Sequence, residues 1–153
     1  MLYIYEFEVF EDEGVFLAFP YDFEGGTQGK DFGDACESAA DWLHSEAEAR
    51  LINGVDFPEA TFGNEPQNGG RTVIVAVDAS KESIRKTSAA KAAKMLGVTP
   101  GRVSQMIAAG KLEAFKDDDG VHTWVTLNSI EARLAENPGP GRPKTKKPEA
   151  VKA

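Results

Sequence analysis

The chain has 153 residues, enough for one ordinary domain or two small ones, and with 41% apolar residues, 27% charged residues and a net charge of −8 it can build a core. No apolar run approaches the roughly 18 residues that span a bilayer, and no charged-then-apolar leader opens the chain, so a soluble, cytoplasmic protein without membrane contact is expected. One cysteine, Cys36, with only His44 and His122 beside it, excludes an intramolecular disulfide and a thiolate or imidazole zinc cage, and no cofactor is expected.

In chain order, residues 2–10 alternate, with Tyr3, Tyr5, Phe7 and Val9 on one face and Leu2, Ile4, Glu6, Glu8 and Phe10 on the other, the pattern of a half-buried strand. Glu11-Asp12-Glu13-Gly14 reads as a turn, and Val15 to Phe19 as the returning strand of a hairpin. Pro20 stops it, because proline has no N–H for the ladder. A Gly-rich stretch, Gly25 to Gly29, leads to Asp31, where the period becomes helical. Phe32, Cys36, Ala39, Ala40, Leu43, Ala47 and Leu51 form the apolar stripe, with Asp31 as N-cap and Gly54 as the stop. After a loop containing Pro58, Pro66 and Gly69-Gly70, the run Val73 to Val77 is β-branched and nearly all apolar. It predicts a central strand buried on both faces.

Hairpin, helix and strand make an α+β domain, a small sheet with one long helix on it. Glu6 and Glu8 share a strand face, as carboxylates do in metal-dependent nucleases, but the expected role is the solvent side of an amphipathic strand. No Ser, His and Asp arrangement of elbow type occurs, Cys36 lies on the apolar helix stripe and His44 beside it. Enzyme activity is therefore not expected. Residues 1–80 carry Lys30, Arg50 and Arg71 against 17 acids, a net −14, whereas residues 81–153 carry 14 bases against 8 acids, a net +6. Such asymmetry suggests two modules with different partners, an acidic one suited to a basic protein and a basic one suited to nucleic acid, the alternative being two merely solvated surfaces.

The run from Tyr3 to Ser80 resembles the HicB-type antitoxins of bacterial toxin–antitoxin pairs. The matching features are the hairpin closed at Gly14, the Pro20 to Gly29 segment ending in GGTQG, the helix DFGDACESAADWLHSEAEARLING, Pro58-Glu59-Ala60 and the final strand VIVAVD. Together they cover about half the chain, and several are simple turn chemistry. The resemblance implies a truncated ribonuclease H-like sheet, usually without its catalytic carboxylates, that covers the active site of a small, basic, RNA-cleaving HicA-type toxin. Where many members have a Pro-Asp-Leu-Pro-Gly-Cys type stretch, this chain has Pro20-Tyr21-Asp22-Phe23-Glu24-Gly25-Gly26.

In the basic half, residues 81–86 read as a helical connector and Thr87-Ser88 as a hydroxyl N-cap. Ala89, Ala92, Ala93 and Leu96 form one apolar stripe, ended by Gly97. Thr99 as N-cap and Pro100 at the first helical position start the next helix, whose stripe is Val103, Met106 and Ile107 and whose stop is Gly110. The string SAAKAAKMLGVTPGRVSQMIAAGKL resembles a helix-turn-helix DNA reader. Thr99, Gly101, Arg102, Ser104, Gln105 and Ala108 are left outside by the stripe. Arg can grip guanine bidentately and Gln adenine, while Lys91, Lys94 and Lys111 can neutralise phosphate.

Leu112 to Phe115 and Val121 to Val125, joined by Asp117-Asp118-Asp119-Gly120, predict a hairpin, and the arrangement resembles the winged helix-turn-helix of excisionase and MerR-like proteins. Three aspartates at the tip would be repelled by phosphate, so Trp124 is expected to pack on the module. Asn128 with Glu131 has capping-box spacing for a last helix carrying Ile130 and Leu134. The tail is rich in Pro, Gly and Lys, and its Gly141-Arg142-Pro143-Lys144 resembles half of an AT-hook, with Arg142 and Lys144 as minor-groove and phosphate contacts, the alternative being a solubilising tail whose bases add only nonspecific phosphate affinity. The expected organisation is a HicB-like toxin-binding domain at 1–80, a (winged) helix-turn-helix DNA-binding domain at 81–137 and a basic disordered tail at 138–153. The expected function is an antitoxin that neutralises a HicA-type toxin and represses its own operon by binding operator DNA as a homodimer or tetramer. A stand-alone regulator with a ligand-sensing or oligomerising N-terminal domain is the alternative, and a nuclease using Glu6 and Glu8 is a third reading.

Overall fold

The computed structural model describes residues 1–136, so Arg142 and Lys144 lie outside the described residues. Among the described residues there are four helices and two antiparallel sheets, an α+β architecture. The chain forms two compact units, Met1–Ile84 and a second beginning at Arg85.

The first unit opens with β1 (Leu2–Asp12) and β2 (Val15–Pro20), paired antiparallel from Asp12↔Val15 to Phe7↔Pro20. The two linking residues, Glu13 (φ 50) and Gly14 (φ 85), both take positive φ, as the primed hairpin turns require. Within the Gly-rich stretch a third strand, β3 (Thr27–Gly29), pairs with β2, a strand that three residues without alternation do not announce. Gly29 is required there, because a Cβ would stand 2.3 Å from the backbone nitrogen of Ala35 on the helix that follows.

That helix is α1 (Phe32–Asn53). Asp31 caps it by accepting from the N–H of Asp34 at 2.8 Å, and Asp34 in turn accepts from the N–H of Lys30 at 2.8 Å. Gly54 ends it at φ 64. Its buried row is Ala35, Ala39, Leu43 and Ala47; the last three belong to the expected stripe, Ala35 joins them, and Phe32, Cys36, Ala40 and Leu51 flank the row half-buried. Three alanines in this row let the helix lie close to Tyr5, Phe7, Val9, Ala18 and Val75 of the sheet. Burying Phe7, Val9 and Leu43 completely contributes about 1.5–3 kcal/mol each.

β4 (Arg71–Asp78) pairs antiparallel with β1 and completes the order β3-β2-β1-β4. The expectation of a central strand buried on both faces is wrong. β4 is an edge strand in which only Val75 is buried, and Ile74 is 66% exposed. A short β-branched run has the same composition in the middle of a sheet and at its edge, so sequence cannot tell the two apart.

In the second unit β5 (Lys86–Ser88) precedes α2 (Ala89–Leu96) and α3 (Pro100–Ala108). β6 (Ala114–Lys116), β7 (Thr123–Thr126) and α4 (Leu127–Glu136) follow. The strands form the sheet β5-β7-β6. The helical connector expected at 81–86 is instead a turn, with the N–H of Ile84 donating to the Lys81 carbonyl, followed by β5, whose Thr87 is buried opposite Val125. Local propensity favoured helix, and pairing with β7 overrode it. Ala92, Ala93, Val103, Met106, Leu112, Val125 and Ile130 form the core.

The expected Asn128–Glu131 capping box is also corrected. Thr126 starts α4: its Oγ1 accepts from the N–H of Ser129 at 3.3 Å, while the Ser129 hydroxyl donates to the Thr126 carbonyl at 2.9 Å. Asn128 and Glu131 instead accept from the Arg85 guanidinium, at 2.8 Å each.

Candidate functional site

In the second unit, α2 and α3 are joined by a three-residue turn that begins at Gly97, held at φ 70. Ser88 caps α2 by accepting from the N–H of Lys91 at 3.1 Å, and Thr99 caps α3 by accepting from the N–H of Arg102 at 3.1 Å. Val103 and Met106 pin α3 to the core. Gly101, Arg102, Ser104, Gln105 and Ala108 are consequently exposed along one side of the helix. Arg102 Nη1 donates to Gln105 Oε1 at 3.3 Å, placing a guanidinium and a carboxamide side by side, and the Ser104 hydroxyl donates to the Pro100 carbonyl at 3.4 Å.

Lys91 and Lys94 on α2 and Lys111 after α3 are exposed as well. Residues 88–112 contain four bases and no acid, so nothing within the segment neutralises them. Such a surface can hold anions, and its paired guanidinium and amide have the donors and acceptor that planar base edges match.

The β6–β7 hairpin contrasts with this. Asp117 accepts from the indole N–H of Trp124 at 2.6 Å, and the Lys86 ammonium stands 5.6 Å from the centre of the Trp124 ring. The indole is thus half-buried and anchored at the base of the hairpin. At the tip, ligand atoms of Asp117, Asp119 and His122 lie within 4.8 Å of one another, a clustering that exposed acidic turns commonly show without an ion.

The first unit places Glu6 and Glu8 where sequence reasoning did not. They are 5% and 3% exposed, so the solvent-facing reading is wrong. Glu6 accepts from the N–H groups of Gly63 (3.1 Å) and Asn64 (2.9 Å) and from the Asn64 side chain (2.9 Å). Glu8 accepts from the N–H groups of Gln67 (3.0 Å), Asn68 (2.8 Å) and Gly70 (3.1 Å) and from the Asn68 side chain (3.0 Å). Residues 63–70 are thereby folded over the outer face of β1. At Gly70 a Cβ would stand 2.2 Å from the Val9 carbonyl oxygen, so only glycine fits.

Donors from Asn64 and Gly63 hold the Glu6 carboxyl below its ordinary pKa. At Glu8 burial pushes the other way, but the donors of Gln67, Asn68 and Gly70 outweigh it and the pKa is again lowered. Both carboxylates are committed to the loop, and a metal ion between them would have to displace its N–H donors. Asn64 and Asn68 are the partners that sequence reasoning missed, since nothing local marks a loop amide as the mate of a strand acid some 60 residues away.

Burial raises the pKa of the Cys36 thiol, which is the state of an inert packing group. His44 Nε2 lies 3.7 Å from Glu48 one turn along α1. The cations of the first unit are mostly engaged: Arg50 binds Glu46 at 2.8 Å, and the Arg71 guanidinium lies over the Phe32 ring at 4.0 Å. The acids, many of them exposed, set the sign of the surface.

No protein-family model matches the chain, and no curated protein matches it. Among solved structures it is similar to a chain described as "Toxin-Antitoxin complex from Streptococcus pneumoniae", with 18% identity and a TM-score of 0.46, over 72% of this chain and 99% of that one. No helix among the described residues is long and apolar enough to cross a membrane.

Proposed function

We propose that this chain is a HicB-type antitoxin and autoregulator. Its acidic unit, a partial ribonuclease H-like domain, binds and neutralises a small, basic, HicA-type RNA-cleaving toxin. The second unit is a winged helix-turn-helix that binds the operator of its own operon, with α3 as the reading helix. Thr99, Gly101, Arg102, Ser104 and Gln105 face the major groove, while Lys91, Lys94 and Lys111, with Arg142 and Lys144 of the tail, neutralise phosphates.

The observation that carries this reading is the separation of charge by unit. A net −14 over residues 1–80 suits a cationic protein, and an acid-free α2–α3 segment suits a polyanion. One such module buries little surface on DNA, so operator binding requires a homodimer or tetramer reading two half-sites. The pairing of Trp124 with Asp117 supports a hairpin that packs on its own module while its acidic tip stays off the phosphates.

Co-expression of the full chain with the product of the adjoining gene tests the proposal. A stable complex that shifts DNA containing the shared promoter supports both halves. The α2–α3 surface needs no toxin, which favours a stand-alone transcriptional regulator as the second reading. A chain that shifts promoter DNA and has no small basic neighbour would fit that reading instead.

A further inference from the structure

The outer face of the first sheet is covered unevenly. Residues 63–70 close it over Glu6 and Glu8, but towards the start of β1 and the end of β4 the covering stops. The register sets Ile4 opposite Ala76 and Ile74 opposite Glu6, so Leu2, Ile4, Ala76 and Ile74 adjoin one another on that face. All four are exposed, Leu2 by 59% and Ile74 by 66%. Isolated apolar side chains on a surface mean little, but a contiguous group on a sheet face is a feature of binding surfaces. β4 is also the sheet edge, and among the described residues no strand pairs with its far side. Edge strands are normally protected by charge or proline, because their free N–H and C=O groups recruit other chains. The interior of β4, TVIVAV, has neither.

Charge selects the occupant. Glu65, an exposed acid, follows Asn64, whose carbonyl accepts from the Thr72 hydroxyl at 2.9 Å, while Asp78 at the close of β4 is paired with the N-terminal ammonium at 3.0 Å, so the acidic field over the patch is that of the unit as a whole. Arg71, the basic residue of β4, is turned onto the ring of Phe32 in α1. A second copy of the chain would bring another net −14 to the same edge, which opposes self-pairing. A cationic partner gains where a second copy loses.

We propose that the free edge of β4, together with Leu2, Ile4, Ala76 and Ile74, is the surface on which a small basic protein docks, by strand addition or by packing on the apolar face. This rests on the antitoxin reading and names the surface that reading leaves open. The acids steer the approach, and the apolar residues and the strand edge fix the complex.

The test uses the full chain and the purified product of the adjoining gene. Affinity is measured for the wild type, Ile74→Arg and Ile74→Asp, and amide hydrogen exchange is followed with and without the partner. Thermal unfolding verifies that each variant folds, which an exposed site permits. We expect Ile74→Arg to lose at least about tenfold in affinity, Ile74→Asp to lose less because it keeps the attractive sign, and the β4 amides to gain protection in the complex. Wild-type affinity in a folded Ile74→Arg, or unchanged exchange along β4, overturns the surface while leaving toxin binding standing. Self-association of the wild type that Ile74→Arg abolishes overturns the choice of occupant in favour of a second copy. A wild-type chain that binds no such protein overturns this inference and the antitoxin reading together.

Discussion

The carboxylate of Glu8 grips Asn68 at two points, accepting from its backbone N–H at 2.8 Å and from its side-chain amide at 3.0 Å across 60 residues of sequence. With Glu6 doing the same for Asn64, two strand acids fix a loop that its own composition leaves free. The pair that most suggested metal chemistry in the sequence thus acts as an anchor.

Replacing Glu8 with Gln removes one acceptor oxygen and the charge while leaving the shape. Of the four donors, those formerly facing the lost oxygen become unsatisfied, and the expected loss is about 2–3 kcal/mol of unfolding free energy. Urea denaturation of the variant checks this, and a loss below about 0.5 kcal/mol would contradict the anchoring role.

Acid should release the same loop. Glu6 and Glu8 have folded pKa values below the usual 4.5, so in moderate acid the unfolded chain binds more protons than the folded one. Their contribution is complete above that value and is lost as pH falls through the lowered folded values. Thermal midpoints should therefore show no pH dependence from this pair near neutral pH, where its stabilisation is fully present, and should fall in acid below the usual carboxylate range, with a shallower fall in Glu8→Gln. An identical acid limb in the variant would assign the effect to other carboxylates.

At Gly29 an added methyl has no space, its Cβ falling 2.3 Å from the Ala35 nitrogen. Gly29→Ala should move α1 away from β3 and cost on the order of 1–3 kcal/mol, as overpacking does. Gly33→Ala, whose nearest atom is the Asp31 carboxylate oxygen at 3.6 Å, serves as the control and should be nearly neutral.

On the proposed DNA surface, Arg102→Ala should weaken operator binding by about 1–3 kcal/mol, if its guanidinium takes a guanine edge, without changing toxin affinity. Fluorescence anisotropy on operator and on unrelated DNA separates the roles. Equal losses on both would make Arg102 a phosphate contact.

Lys91→Ala should instead weaken both DNAs alike and reduce the salt slope by about one, and deletion of residues 139–153 should flatten it further. An unchanged slope in the truncated chain would remove Arg142 and Lys144 from the interface.

Local signals in the sequence are legible where a single residue type has one cheap conformation. Asp31, Ser88 and Thr99 cap the helices they were expected to cap, and Gly14, Gly54 and Gly97 take the positive φ that glycine tolerates. What was missed depends on distant partners. β3 and β5 are three residues each and exist because β2 and β7 lie beside them. The edge position of β4 and the burial of Glu6 and Glu8 follow from strand order and from where a loop crosses the sheet, which no window of sequence contains. The exposed row of α3 was legible because Val103 and Met106 fix its phase.

Neutralisation of the toxin is read directly in RNA cleavage. The purified product of the adjoining gene is assayed on a labelled RNA while the full chain is titrated in. Cleavage should fall to background at a fixed stoichiometric ratio and return when the complex is dissociated. Cleavage that continues undiminished with the chain in excess would contradict it.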